Sequence, residues 1–317
     1  MAPTISIGIP FWNAERTLFC AIQSVFAQTI TDWELILVDD GSVDRSLLIA
    51  KAVNDRRVCV LSDGLHKGLG ARLNEIANKA QGRYLARMDA DDAMCPDRLE
   101  KQLKYLAAHP HCDVLGTGMF VVDRQLLPKA VRIATPTIAS KAALYRGPLM
   151  HATVVGRTEW FRSHSYHEQL LRSEDRELWL RTFSASSFAN LSEPLYLVCE
   201  SDSFTLSKYI SSSRELTRLF LKFGPSIVGW PRTIQYVLAT LAKDVLHIIA
   251  STLSLSDHLI HLRSRSVSES EVTKCLEAGA VVLATRVPLF TTALELGFDL
   301  VPHSQSTASG IDALGDQ

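Results

Sequence analysis

The chain has 317 residues, 47% of them hydrophobic and 21% charged, a balance that supports a packed globular core. Lys and Arg number 33 against 34 Asp and Glu, a net charge of -1, so no global field draws it to nucleic acid. There is no basic leader, no apolar run of the roughly 18 residues a membrane span needs, and no C-x-x-C pair among six cysteines; a cytoplasmic protein with reduced thiols is expected.

The first hundred residues alternate strand and helix patterns. ISIGIP (5–10) reads as a strand ended by Pro10. Asn13 is placed to cap a helix whose apolar stripe is Leu18, Ile22, Val25 and Phe26. WELILVDD (33–40) is a buried strand ending in two acids, and Ser42 is placed to cap the next helix. RVCVLSD (57–63) is a third strand, 68–82 a helix stopped by Gly82, and YLARMDAD (84–91) a fourth strand. Pro96 opens a helix to about His109. Such alternation predicts a mostly parallel sheet whose ligands sit beyond the carboxyl ends of its strands. Pro10 to Asn13, Asp39 to Ser42, Asp63, and Asp89 to Asp92 all fall there.

From about 113 the pattern is more mixed. DVLGTGMFVVD and HATVVGR read as strands and SEDRELWLRTF (173–183) as a helix. Further helices are predicted at 208–223, 231–250 and 268–285, with a loose tail at the end.

Singly, the polar strings have structural readings. VDDGS is also turn chemistry, DADD also a solvated loop, and SEDRE also an acidic first turn facing the helix dipole. His151 is also a satisfied interior histidine. Their succession narrows the choice. IPFWN, VDDGS, HKGLGARLNEI, GRYLARMDADD, PDRLEKQ, MHATVVGR and SEDRELWLR, in this order, resemble glycosyltransferase family 2 across residues 4–183.

The resemblance implies an α/β fold of the GT-A (Rossmann-like) type: a mostly parallel sheet flanked by helices, here with a helical C-terminal extension. It implies a nucleotide-sugar-binding part at 1–112, an acceptor-binding part at 113–204, a helical region at 205–302 and a flexible tail at 303–317. Asp91 and Asp92 match the family's ribose and metal contacts, supported by Asp89, with Mn²⁺ or Mg²⁺ as the ion. The physical need is clear: a departing diphosphate gathers negative charge, and a hard divalent ion with oxygen ligands stabilises it. Asp40 matches the residue that bonds the base, usually uracil. Pro10, Phe11, Trp12 and Asn13 match the segment around base and ribose. Arg72 either offsets diphosphate charge or pairs with a surface acid.

Asp175 matches the base that deprotonates the acceptor hydroxyl, with Glu174 beside it; a positioned carboxylate helps a poor nucleophile by taking its proton. His151 and Trp179 are acceptor-side candidates, and Trp179 also reads as helix packing. The implied activity is inverting transfer of one hexosyl or N-acetylhexosaminyl unit. It runs from a UDP-sugar to a glycan or lipid-linked acceptor, in bacterial surface polysaccharide assembly. The family's Tyr before Asn13 is Trp12 here, its Asn before x-G-L-G is His66, and the processive Q-x-x-R-W string is absent. Rival readings are a sugar-phosphate nucleotidyltransferase, whose glycine-rich first loop is missing, and a non-catalytic nucleotide-sugar-binding protein, which the retained acids disfavour.

In WPRTIQYVLATLAKDVLHIIA, residues Ile234, Val237, Leu238, Leu241, Val245, Ile248 and Ile249 fall on one helical face, and Arg232, Gln235, Lys243 and His247 largely on the other. Two readings stay open. The face packs on the catalytic domain or in a homodimer, or it makes a peripheral contact at the inner face of the membrane, with little electrostatic help from the helix's few basic residues.

Overall fold

Seven consecutive buried residues, Ile5–Phe11, form the first strand, β1, at the middle of the chain's sheet. The computed structural model describes residues 2–136, 144–145, 147–170, 172–199, 206–252 and 265–290. The tail expected at 303–317 lies outside them. β1 pairs in parallel with β2 (Trp33–Asp39) and β4 (Tyr84–Arg87), and β2 with β3 (Val58–Ser62). Helices α1 (Leu18–Phe26), α2 (Ser46–Ala52) and α3 (Leu69–Lys79) make the crossovers. Every β2 side chain from Leu35 to Val38 is buried, and the strand feeds two cores: Leu35 and Leu37 join Ile5, Ile7 and Ile22, while Ile36 and Val38 join Leu73, Ile76 and Trp160. Both faces are covered, which is why the strand is an unbroken apolar run.

The second half completes a nine-stranded sheet of order β3-β2-β1-β4-β8-β6-β9-β5, with β7 on β6. β5 (Ala93–Met94) follows the acidic turn, and α4 (Arg98–Ala108) leads to β6 (Val114–Val122) and β7 (Pro128–Arg132). A 3-10 turn, His151–Thr153, precedes β8 (Val155–Arg157) and α5 (Thr158–Ser163); α6 (Glu174–Thr182) then leads to β9 (Phe188–Cys199). β8 is antiparallel to β4 and β6, β7 to β6 and β5 to β9, while β6 and β9 are parallel. The mostly parallel expectation therefore holds for β1 to β4, and the sheet as a whole is mixed.

Two caps differ from expectation. α1 begins at Leu18, behind Thr17, and Asn13 lies in the left-handed region at φ 50°. Its Oδ1 accepts the Val43 N–H at 2.9 Å, and Ser42 Oγ accepts the Asn13 N–H at 3.1 Å. Both residues staple the loop after β1 to the loop after β2 instead of starting helices. α2 begins at Ser46, whose hydroxyl takes the Ala14 N–H at 2.7 Å.

The C-terminal part is an antiparallel hairpin of α7 (Leu206–Val228) and α8 (Trp230–Thr252), followed by α9 (Glu269–Ala284). A Cβ on Gly224 would stand 2.5 Å from Thr233 Oγ1, so a small residue is needed where the two helices converge. Leu219 and Phe220 of α7 bury against Leu180 of α6, and α9 packs on α1, where Gln23 Nε2 donates to the Thr285 carbonyl at 3.0 Å. Among the described residues, the apolar face of α8 does not pack on the catalytic part. Ile234, Leu238, Leu241, Val245, Ile248 and Ile249 are all exposed, and only Val237 turns into the cluster around Phe220. No described helix is long and apolar enough to cross a membrane.

Candidate active site

Four loops meet beyond the strand ends, and each carries polar groups that its neighbours hold in place. At the end of β2, Asp40 is 6% exposed. Its carboxylate accepts from the Lys67 N–H at 2.7 Å, the Gly68 N–H at 3.1 Å and Arg72 Nε at 2.9 Å, with His66 Nδ1 at 2.9 Å. These are the donors at the start of α3, so Asp40 caps that helix from a distance. Gly68 sits at φ 88°, a conformation that only glycine adopts cheaply. Arg72, fully buried, also reaches Asp63 at 2.7 Å and Glu75 at 2.8 Å. Arg72 is thus paired with three acids at once. Against its own burial, Asp63, Glu75 and Asp40 hold its guanidinium firmly charged.

Of the residues expected around the base, Pro10 and Phe11 are buried, Phe11 with its ring in the main core. Trp12 is 55% exposed, and its ring lies 4.7 Å from that of His66. The two ring planes are tilted by 36° to each other. Asn13 is exposed and bonded as described above.

Beyond β4, Asp89, Asp91 and Asp92 bring one carboxylate oxygen each within 4.8 Å of one another. Asp92 is buried, Asp89 half-buried and Asp91 exposed. Burial, then the Asp89 and Asp91 charges, push Asp92 well above the usual carboxylate range. Enclosure and the Asp89 charge push Asp91 up as well. The Cys199 N–H donates to Asp92 at 2.9 Å, and the Asp89 N–H to the Tyr196 oxygen at 3.1 Å, so β9 fixes the loop from below. Three mutually repelling carboxylates, with no Lys or Arg paired to Asp91 or Asp92 among the described residues, fit a hard divalent cation such as Mg²⁺ or Mn²⁺.

The base candidates arrive from the other half of the chain. Ser173 takes a left-handed conformation at φ 60° and turns the chain into α6, whose first residues are Glu174 and Asp175. Glu174 is buried and Asp175 half-buried. Burial and then Asp175 raise Glu174; burial raises Asp175, opposed by Arg176 and Arg87. Both carboxyls are thereby shifted towards proton affinity, as a general base requires.

Arg87 joins the two halves, and sequence reasoning passed over it. It is 6% exposed and pairs with Asp89 through Nη1 at 2.8 Å and Nη2 at 2.6 Å, while its Nε has no partner among the described residues. Its field also reaches Glu174, Tyr166 and Tyr196. The available signal was spacing: residues two apart at a strand end share a face. Tyr166, with no sequence signal, is buried and bonds His151 Nε2 at 2.9 Å. Burial and then Arg87 hold His151 well below the usual imidazole range, so the ring is neutral near pH 7. Trp179, an acceptor-side candidate from the sequence, is fully buried. It meets His151 edge-on at 6.1 Å, and so bears on the site only through that ring.

The family model described as Glycosyl transferase family 2 matches residues 6–171. The chain is 38% identical over 211 residues to a putative glycosyltransferase, EpsE, of Bacillus subtilis, which spans 64% of this chain and 75% of that protein. It is 26% identical over 235 residues, 74% of this chain and 90% of the relative, to WfgD of Escherichia coli. WfgD is described as a UDP-Glc:alpha-D-GlcNAc-diphosphoundecaprenol beta-1,3-glucosyltransferase. Among solved structures, Staphylococcus aureus TarS 1–349 in complex with UDP-GlcNAc superposes with a TM-score of 0.56 at 18% identity, over 90% of this chain and 82% of that one. That likeness is one of fold.

Proposed function

This chain is a glycosyltransferase of family 2, and on that premise we propose that it moves one sugar per encounter from a UDP-sugar to a hydroxyl of a glycan or lipid-linked acceptor. The transfer inverts the anomeric centre and uses a divalent cation, and it serves surface-polysaccharide assembly. The observation that carries the reading is that Arg87, paired with Asp89 of the acidic cluster, lies near enough to Glu174 and Asp175 for its charge to act on both. One group of acids suits a cation and a diphosphate; the other, raised by burial, suits a proton.

Asp91 and Asp92 would hold Mn²⁺ or Mg²⁺, and Arg87 keeps Asp89 turned towards them. When bound, the cation offsets the charge that grows on the departing diphosphate. The exposed face of Trp12 stacks the base, beside His66. Asp40 acts on the nucleotide indirectly, by fixing the start of α3 and the loop that carries His66. On the acceptor side, His151 and Tyr166 orient the incoming hydroxyl, and Asp175 takes its proton as the oxygen bonds to the anomeric carbon and the bond to UDP breaks. UDP as the donor's nucleotide and a diphospholipid-linked acceptor are supported by what TarS binds and what WfgD is named for. Calorimetry with a panel of UDP-sugars in Mn²⁺ tests the reading. One donor should bind at least about tenfold more tightly with the ion than in EDTA. A panel in which no UDP-sugar binds would overturn it.

A further inference from the structure

The outward side of α8 is an apolar stripe without a partner among the described residues. Trp230, Ile234, Leu238, Leu241, Val245 and Ile248 recur every three or four residues along it, each between 43% and 60% exposed. A 23-residue helix is about 35 Å long, so the stripe runs the length of the hairpin. Monomeric proteins seldom leave so extended an apolar surface open to water.

The charges on the hairpin say what covers it. α7 exposes Arg214, Arg218 and Lys222, the last 3.6 Å from Glu177 of α6, while Arg232 and Lys243 lie on the side of α8 away from the stripe, Lys243 over the Tyr145 ring. Residues 206–252 contain six Lys or Arg against two acids, a net charge of +4 in a chain whose total is -1. Neither acid is exposed: Glu215 is half-buried against Arg218, and Asp244 accepts from Ser213 Oγ at 2.8 Å. Every exposed charge on the hairpin is therefore cationic. A second copy meeting this surface with its own would bring cations to cations and no carboxylate to pair with them. An anionic lipid surface satisfies both features, taking the apolar stripe into the acyl boundary and the cations at the headgroups.

We propose that the α7–α8 hairpin docks this protein on an anionic membrane surface through the Trp230–Ile248 stripe, with Arg214, Arg218 and Lys222 of α7 at the headgroups. The electrostatic share is larger than α8 alone suggests, because α7 supplies three of the exposed cations. Docking also orients the site, since Leu219 and Phe220 of α7 pack on Leu180 of α6, the helix that begins with Glu174 and Asp175. The inference rests on the proposed function only for its purpose, presenting the site to a lipid-linked acceptor.

The test uses the full chain and sedimentation with two vesicle types, phosphatidylcholine alone and phosphatidylcholine mixed with phosphatidylglycerol. Wild-type protein should sediment with the mixed vesicles and far less with the neutral ones. The pair Leu238→Asp and Leu241→Asp should abolish sedimentation. Arg214→Ser, Arg218→Ser and Lys222→Ser should each weaken binding to mixed vesicles by about fivefold. In all these variants UDP-sugar binding should stay at the wild-type level, which separates this inference from the proposed function. Wild-type protein that ignores the mixed vesicles, or Leu238→Asp/Leu241→Asp protein that still sediments, overturns the proposal. So does a wild-type dimer in light scattering that the same pair converts to monomer, since the stripe would then meet a second copy.

Discussion

Arg87 and Asp89 form a two-point ion pair, 2.8 Å through Nη1 and 2.6 Å through Nη2, with the guanidinium buried at the end of β4. The pair fixes the first carboxylate of the acidic cluster and carries its field to the start of α6. Lysine would keep the charge and lose the fork. Arg87→Lys should lower kcat/KM by about tenfold, roughly 1.4 kcal/mol of lost transition-state stabilisation, in kcat more than in KM. Steady-state kinetics on the folded variant check this; wild-type kinetics would mean that Asp89 needs no such hold.

Asp175→Asn should bind the UDP-sugar as wild type does and lose transfer by about a hundredfold or more, because only proton acceptance is removed. Donor calorimetry beside a transfer assay separates the two effects. If the variant keeps most of its rate, Glu174 is the base.

The pH profile follows from burial. Asp175 works ionised, and burial disfavours the ionised form, raising its pKa above the ordinary 3.8. The rate should therefore climb with pH across a window that starts above the usual carboxylate range, and Asp175→Asn should lack that acid limb. A kcat profile already flat down to the ordinary carboxylate range would contradict the assignment.

These assignments were legible in the sequence where chemistry is local. Three of the four parallel strands stand where apolar runs lead into acids and β1 where one leads into Trp12 and Asn13, and the cluster at Asp89 to Asp92 was visible as three acids in four positions. Long-range partners were not. β9 escaped because Ser192, Glu193 and Pro194 interrupt it, and the pairing with β6 slips there, from Leu191 opposite Thr117 to Pro194 opposite Gly118. Asn13 and Ser42 look like caps because their side chains suit that use, but they bond each other's loops across about thirty residues of chain. Arg87 sat in plain view beside the acids, and its role appears only once the start of α6 is brought within reach of its charge. Phe11 and Trp12 are neighbours with opposite fates because adjacent residues leaving a strand face opposite sides.

At the other end of the molecule, Glu271 in the first turn of α9 accepts from the Ser268 N–H at 3.0 Å and from Arg265 at 2.6 Å. Arg265 first, then the Ser268 N–H, bring its pKa from 4.5 down to about 2. A carboxylate depressed in the folded state adds stability above its unfolded value and loses it as pH falls through the folded one. Its contribution should thus be full above about 4.5 and fade towards 2, and Glu271→Gln should remove that part of the pH dependence. Ser268→Ala should cost about 1 kcal/mol at neutral pH. Urea titrations at several pH values check both expectations.

The account's central claim is cation-assisted sugar transfer at Asp91 and Asp92, and UDP release from the donor that calorimetry identifies tests it most directly. With acceptor present, release should require Mn²⁺ or Mg²⁺, stop in excess EDTA, return when the ion is restored, and be lost in Asp92→Asn. Release at the wild-type rate in excess EDTA, or from Asp92→Asn, would contradict it.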